Sequence, residues 1–275
     1  MSLPDIDAIV RIMRDVAETE IRPRFRQLES DEIRRKESGG LVTIADTESE
    51  RRLGEALSAL LPGSVVLGEE AAEGDPLAYD CLSGDAPVWI IDPLDGTSNF
   101  AAGNPDYVVI VALAISGVVR VGAILAPETD VLITAEEGGG AWSVGQRLLS
   151  DGDNSAEEAL LSGSLGRRLR QRDELQGAFA SMDTVGSCGL EYLRIALGEL
   201  DFSHYRGLKP WDHAAGDLIV REAGGMVGFI DESRYVPGGV THRHGLLTAR
   251  NTRCWHDVAT RLLPALEQLP PLQSR

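Results

Sequence analysis

Asp92 and Asp95 stand three positions apart, directly behind the apolar run Val88-Trp89-Ile90-Ile91. Pro93-Leu94 lies between them and Gly96-Thr97-Ser98-Asn99 follows. The apolar run reads as a buried strand that delivers two carboxylates into a turn. Hard divalent cations take oxygen ligands, and two acids fixed at a strand's end offer them. The Gly-Thr-Ser run reads as a helix start whose backbone N–H groups hold an anion. Cation and phosphate would then share one loop, which points to metal-assisted phosphate-ester chemistry.

Three further segments present acids in comparable settings. Asp46 follows Leu41-Val42-Thr43-Ile44-Ala45 and precedes a helix; Glu69-Glu70 follow Val65-Val66-Leu67-Gly68; Asp212 lies in Lys209-Pro210-Trp211-Asp212-His213-Ala214-Ala215-Gly216 and opens a helix. Each also has a plain reading. Asp46 and Asp212 can serve as helix N-caps, and Glu69-Glu70 can be solvated loop charge. Asp92 and Asp95 are harder to explain that way, because their mutual repulsion calls for a cation or a raised pKa. His213, His242 and His244 fit no zinc spacing, and surface or supporting roles suit them better. Cys188 has no evident base and reads as packing. Gly138-Gly139-Gly140 lacks the Lys-Ser/Thr of a P-loop.

The elements that must position these acids follow from periodicity. Apolar residues at Ile6, Ile9, Val10, Met13, Val16, Ala17 and Ile21 predict a helix over residues 5–27, bent or ended at Pro23. Residues 34–40 read as a loop, and residues 46–61 as a helix stopped by Pro62-Gly63. Strands are predicted at 65–67, 88–91, 107–115, 118–126, 131–136 and 141–144, with a hairpin at Ser116-Gly117. Later helices are predicted within 172–180, at 188–197, at 212–223 and at 252–263, the last bent or ended by Pro264. Strands are predicted at 200–205, 226–230 and 246–249. The polar stretch 150–158 divides an N-terminal α+β lobe (1–150), carrying most of the acids, from a C-terminal α/β lobe (151–275), carrying Asp212. The tail from Gln268 reads as loose.

The whole chain sets bounds. Its 275 residues, 43% hydrophobic and 25% charged, suit one large domain or two joined lobes with a substantial core. A net charge of -17 argues against nucleic-acid binding, which needs a basic face. It would also repel an anionic substrate unless bound cations reverse the sign locally. Three cysteines without a paired framework suit a reducing cytosol, and no apolar run suits a signal peptide or a membrane span.

Four ordered motifs together resemble the inositol monophosphatase family of magnesium-dependent, typically lithium-sensitive phosphatases. They are Asp-Pro-Leu-Asp-Gly-Thr-Ser-Asn at 92–99, Trp-Asp-His-Ala-Ala-Gly at 211–216, Gly-Glu-Glu at 68–70 and Leu-Val-Thr-Ile-Ala-Asp at 41–46. The resemblance implies an α/β layered fold, the αβαβα sandwich of the inositol monophosphatase and fructose bisphosphatase type, with the active site between lobes and a homodimer as the usual assembly. It implies Glu69, Asp92, Asp95, Asp212 and the Leu94 carbonyl as ligands for two or three Mg²⁺ ions. Pro93 would fix the turn that aims this carbonyl. It implies that Glu69 and the Thr97 hydroxyl orient an attacking water, with Asp46 accepting the Thr97 proton. Gly96, Thr97 and Ser98 would bind the phosphate, and Tyr205 and Asp212 the rest of the substrate.

Lys36 matches a lysine that precedes the Leu-Val-Thr motif in relatives, at a spacing one residue shorter. Tyr205 stands where inositol-specific relatives carry an acid, although its hydroxyl can still hydrogen-bond a polyol. The lip that selects substrate is expected around Ser164, residues 186–188 and residues 202–209. Arg206, Lys209 and Arg167-Arg168 would favour a second anionic group if they face it, and are otherwise surface charge. The resulting expectation is a cytoplasmic Mg²⁺-dependent phosphomonoesterase acting on a small polyol or sugar phosphate by direct water attack. Histidinol phosphate, fructose 1,6-bisphosphate and a 3′-phosphoadenosine nucleotide remain alternative substrates, and a regulatory binding protein on the same fold is an alternative of another class.

Overall fold

The computed structural model describes residues 3–37, 39–75, 77–149, 160–239 and 242–270. The expected lobe boundary at 150–158 and the tail beyond Pro270 lie outside them. The chain opens with helix α1 (Ile6–Val16), which passes through a π turn (Ala17–Ile21) into a 3₁₀ turn (Arg22–Arg24) holding Pro23. Strands β1 (Ile33–Arg35) and β2 (Leu41–Thr43) pair antiparallel, so the loop expected at 34–40 begins two residues later, at Lys36, as the connection of a short ribbon. Helix α2 (Ile44–Leu60) follows, then β3 (Val65–Gly68) and the single-turn helix α3 (Glu69–Ala72).

Strand β4 (Val88–Asp95) runs into the short helix α4 (Thr97–Ala101). An antiparallel meander follows: β5 (Val108–Ile115), β6 (Val118–Ala126), β7 (Val131–Glu136), β8 (Gly140–Ser143) and β9 (Gln146–Leu148). Strands β3 to β9 form one seven-stranded sheet in chain order, with only the β3–β4 pair parallel. Ser116 and Gly117 both take positive φ, 51° and 75°, as the tight β5–β6 hairpin requires. Beyond lie β10 (Gly163–Leu165), α5 (Arg167–Arg170), α6 (Cys188–Ala196), β11 (Phe202–Tyr205), α7 (Pro210–Glu222), β12 (Met226–Phe229), β13 (Leu246–Ala249) and α8 (Thr252–Glu267). A second sheet has the order β10-β11-β13-β12.

Alternation along β4 decides the layering. Trp89 and Ile91 face α1 and α2 with Val109, Val111 and Leu113, forming one buried cluster. Val88 and Ile90 face the other way, toward α6 and α7, in a second cluster that also takes in Val227, Phe229 and Leu246 of the small sheet. The small sheet's far face packs Phe202, Leu247 and Ala249 on Trp255, Val258 and Leu262 of α8. Helices, sheet, helices, sheet and helix therefore stack as an αβαβα sandwich.

Two predicted elements differ. Residues 172–180 form only a 3₁₀ turn (Asp173–Leu175), because Gly177 takes φ 76° and the chain turns and bends on to Ser181, which bridges Ser162. Helix α8 continues through Pro264 to Glu267. A helix-interior proline costs about 3 kcal/mol. Beyond it Ala265 and Leu266 are fully buried and Leu269 nearly so, and each buried leucine returns about 1.5–3 kcal/mol. No helix among the described residues is long and apolar enough to cross a membrane.

Candidate active site

The C-terminal end of β4 is irregular. Asp92 pairs with Ile110 and Asp95 with Val108, so three steps on β4 oppose two on β5. The extra residue is a β-bulge containing Pro93, and such bulges re-aim side chains. Residues three apart on a regular strand face opposite sides. The bulge brings Asp95 back within electrostatic range of Asp92. Asp92 Oδ1 also accepts the Leu94 N–H at 3.0 Å, which fixes the turn. Gly96 then takes φ 97°, and a Cβ there would lie 2.9 Å from the Asp106 carbonyl oxygen. Only glycine fits this approach to the first turn of α4.

Three distant segments converge here. Carboxylate oxygens of Glu69, Asp92 and Asp212 lie within 4.8 Å of one another, the one such group of potential metal ligands among the described residues. Asp95 stands outside this trio, its Oδ2 accepting from Ser187 Oγ at 2.8 Å and the Gly189 N–H at 2.6 Å. Burial, and then the neighbouring acids, push Asp92 and Asp212 well above the ordinary carboxylate range. Burial raises Asp95 to about 6 despite its two donors. Lys36 offsets part of this charge through Glu69, and among the described residues no ion pair reaches Asp92, Asp95 or Asp212. All the donors are oxygen, which suits a hard divalent ion.

Asp46 is neither a simple N-cap nor a free acid. Thr43 caps α2, and Asp46 Oδ2 closes the capping box on the Thr43 N–H at 2.7 Å. Its Oδ1 accepts the Thr97 hydroxyl at 2.8 Å, and burial raises its pKa to about 6. Thr97 Oγ1 also lies 3.1 Å from the Leu94 carbonyl oxygen. Asp212 is likewise past the cap, in the first turn of α7 behind Pro210 and Trp211.

One supporting residue, Glu50, escaped the sequence reading. The buried Glu50 carboxylate on α2 accepts the N–H groups of Glu70 at 2.7 Å and Ala71 at 2.8 Å, holding the turn that presents Glu69. A Cβ on Gly68 would sit 2.3 Å from Glu50 Cδ, so the preceding glycine makes room for it. Lys36 Nζ bridges Glu69 and Glu70 at 2.7 Å each. Burial opposes the Lys36 charge, but the two glutamates overcome it and raise its pKa. Burial also lifts Glu70 to about 8. Glu50 gave no local signal, since it sits mid-helix among other acids.

Beside the trio lies a cavity of about 240 Å³ whose walls include Ser164, Glu191, Tyr205, Arg206, Gly207 and Asp212. Glu191 Oε1 accepts the hydroxyls of Ser164 at 2.5 Å and Thr184 at 2.8 Å. Tyr205 stacks on Tyr192, and its hydroxyl accepts from Ser203 Oγ at 2.7 Å. His213 is buried, not at the surface. Its Nδ1 lies 2.9 Å from the Tyr192 hydroxyl and its Nε2 2.7 Å from the Gly207 carbonyl oxygen. Burial lowers its pKa to about 4, so the neutral ring donates to Gly207 and accepts from Tyr192. The Cys188 thiol also lines the cavity, pushed well above its usual value by burial and nearby acids, which leaves it protonated. Lys209 Nζ lies over the Trp211 ring and 3.5 Å from the Tyr79 hydroxyl, and its charge favours the Asp212 carboxylate.

Comparison with known proteins adds the family. The model of the inositol monophosphatase family matches residues 4–269. A protein of Pseudomonas aeruginosa named Nus factor SuhB is 31% identical, over 99% of each chain. The inositol-1-monophosphatase SuhB of Mycobacterium tuberculosis is 34% identical over 197 residues, 68% of this chain and 67% of that protein. Among solved structures, the Thermotoga maritima IMPase superposes with a TM-score of 0.79 at 24% identity, covering 96% of this chain and 98% of that one. An IMPase/NADP phosphatase complexed with Mg²⁺ and phosphate gives 0.75 at 22%, covering 94% of this chain and 93% of that one.

Proposed function

This chain belongs to the inositol monophosphatase family, and on that premise we propose that it is a Mg²⁺-dependent phosphoric monoester hydrolase acting on a small polyol or sugar phosphate by direct attack of water. The observation that carries the reading is the convergence of Glu69, Asp92 and Asp212 beside the Thr97–Asp46 hydrogen bond. Glu69, Asp92, Asp95, Asp212 and the Leu94 carbonyl would hold two or three Mg²⁺ ions. When bound, such ions neutralise phosphate charge and act as Lewis acids.

The chain's own groups do the rest. The Thr97 hydroxyl commits its proton to Asp46, which leaves an oxygen lone pair for an incoming water. As that water loses a proton to Thr97, Asp46 takes the Thr97 proton, and Glu69 orients the water from the other side. Backbone N–H groups of Gly96, Thr97 and Ser98 hold phosphate oxygens as charge builds. Tyr205 and Asp212 border the space for the leaving group. The cavity of about 240 Å³ beside the cage has room for a sugar or polyol ring.

We take the protein to work in the cytoplasm as a homodimer and to be inhibited by lithium. The testing experiment is a panel of phosphate esters (inositol 1-phosphate, fructose 1,6-bisphosphate, histidinol phosphate and a 3′-phosphoadenosine nucleotide) assayed for free phosphate with and without Mg²⁺. Release only with Mg²⁺ is expected, and millimolar Li⁺ should reduce it; no release from any ester would refute the reading. The full-length match to a protein named a Nus factor supports a second reading, a regulatory binding role on the same fold. An Asp95→Asn chain that loses hydrolysis but retains the cellular phenotype would favour it.

A further inference from the structure

Asn99 closes the motif that begins at Asp92, and the proposed reaction gives it no task. Its Nδ2 donates to the Asp106 carbonyl oxygen at 2.7 Å and to the Val185 carbonyl oxygen at 2.8 Å. Its Oδ1 accepts from Asn104 Nδ2 at 3.3 Å. A primary amide carries two N–H groups and one carbonyl, so both donors and the acceptor are in use. Aspartate, of the same shape, would set a carboxylate against two carbonyl oxygens. None of the three partners is a carboxylate. Val185 stands 86 positions away, in a segment whose Thr184, Gly186, Ser187 and Cys188 line the cavity proposed for the leaving group. The bond therefore ties α4, whose first turn would hold the phosphate, to a wall of that cavity. The same two segments also meet at Asp95, which accepts from Ser187 Oγ at 2.8 Å and the Gly189 N–H at 2.6 Å. A Cβ on Gly96 would lie 3.2 Å from Ser187 Cβ, so the approach is close. Residues 96–98 thus lie between two tethers to one wall. Two tethers fix an orientation; one leaves a pivot.

We infer that Asn99 is a positioning residue that fixes the phosphate-binding turn against the cavity wall, so that an ester held at both ends lies in line with the attacking water. The inference rests on the phosphatase reading above and adds to it a residue that acts through the turn and the wall. Without the Asn99 tether each half of the site keeps its own contacts. The turn retains the Thr97–Asp46 bond at 2.8 Å, and the wall retains the Ser187–Asp95 and Thr184–Glu191 bonds. An ester that spans both halves loses its alignment, and a misplacement of about 1 Å costs on the order of 100-fold in rate.

The test compares wild type, Asn99→Ala, Asn99→Asp and Asn104→Ala on the best-cleaved ester of the panel with Mg²⁺, using inorganic phosphate as a competing inhibitor. Asn99→Ala should lower kcat/KM about 10- to 100-fold, mostly through kcat, while the phosphate inhibition constant and the Mg²⁺ midpoint each move less than about 3-fold. Asn99→Asp keeps the shape, loses both donors and should lose at least as much. Asn104→Ala removes the bond to Oδ1 and one to the Asp106 N–H but spares the Val185 tether. It should stay within about 3-fold of the wild type. An unchanged kcat/KM in Asn99→Ala overturns the inference. So does a phosphate inhibition constant that rises in step with the loss, which would mark Asn99 as a brace of the phosphate turn alone. An equal loss in Asn104→Ala also overturns it, since Asn99 would then only brace its own loop. Release of phosphate from no ester by the wild type sinks the parent reading, and this inference with it.

Discussion

At the scale of single residues, a 2.8 Å hydrogen bond joins Thr97 to Asp46, and the proposed reaction uses it as one proton path. Replacing Thr97 by Val keeps the shape and removes the hydroxyl. Its kcat should fall about 100-fold or more, with KM changed far less, since general-base contributions run to about 10²–10⁴. Asp46→Asn should cost a similar factor, and the double variant little more than either single, because both changes cut the same path. Additive losses in steady-state kinetics would contradict the shared path. Asp92, Asp95, Thr97 and Asp212 were legible as a set because their motifs are local. The second duty of Asp46 was not: its bond to Thr97 spans 51 positions, and its helix-terminal place alone suggests a cap. His213 was legible as a residue but not as a buried one, since its burial comes from Tyr192 and Gly207, on other segments.

Among elements, the turn α3 depends on α2. Two of its N–H groups end on Glu50, so Glu50→Ala leaves both without their acceptor, a loss of about 1–3 kcal/mol. Because that turn carries Glu69, the Mg²⁺ concentration giving half-maximal activity should rise about 10-fold while the fold persists. An unchanged Mg²⁺ dependence, read by titrating activity with Mg²⁺, would show that Glu69 needs no such support. Most strands were legible from their alternation, and β5, β6 and β7 begin and end within one residue of their predicted limits. Elements failed where distant burial overruled local chemistry. Pro264 should bend or end α8, yet the apolar side chains beyond it pack against the small sheet and carry the helix on. The converse holds at 172–180, where Leu175 and Phe179 are buried in the same cluster from a chain that Gly177 turns away from helix.

For the molecule as a whole, the layer order places a concentrated acidic site between the large sheet and the helices α6 and α7, in a chain already strongly anionic. Asp46 and Asp95 are raised from 3.8 to about 6 and Glu70 from 4.5 to about 8, burial being the first cause in each. A carboxyl group raised in the folded state adds stability that is fully present below its unfolded pKa and is lost as pH climbs through the folded value. Metal-free protein in chelator should therefore melt higher at pH 5 than at pH 8, by on the order of 4 °C or more. Added Mg²⁺ should stabilise it far more at pH 8; a higher metal-free melting point at pH 8 would contradict this. The sandwich was legible from the motifs jointly, whereas the cavity wall was not, because its residues come from β10, α6, β11 and α7 and meet only after folding. The central claim is that converging carboxylates hold the cations that permit ester hydrolysis. Phosphate release from the best ester of the panel, compared in wild type and Asp92→Asn across a Mg²⁺ titration, tests it most directly. The account predicts no turnover in chelator and a loss of about 1,000-fold or more in the variant; turnover that survives either change would contradict it.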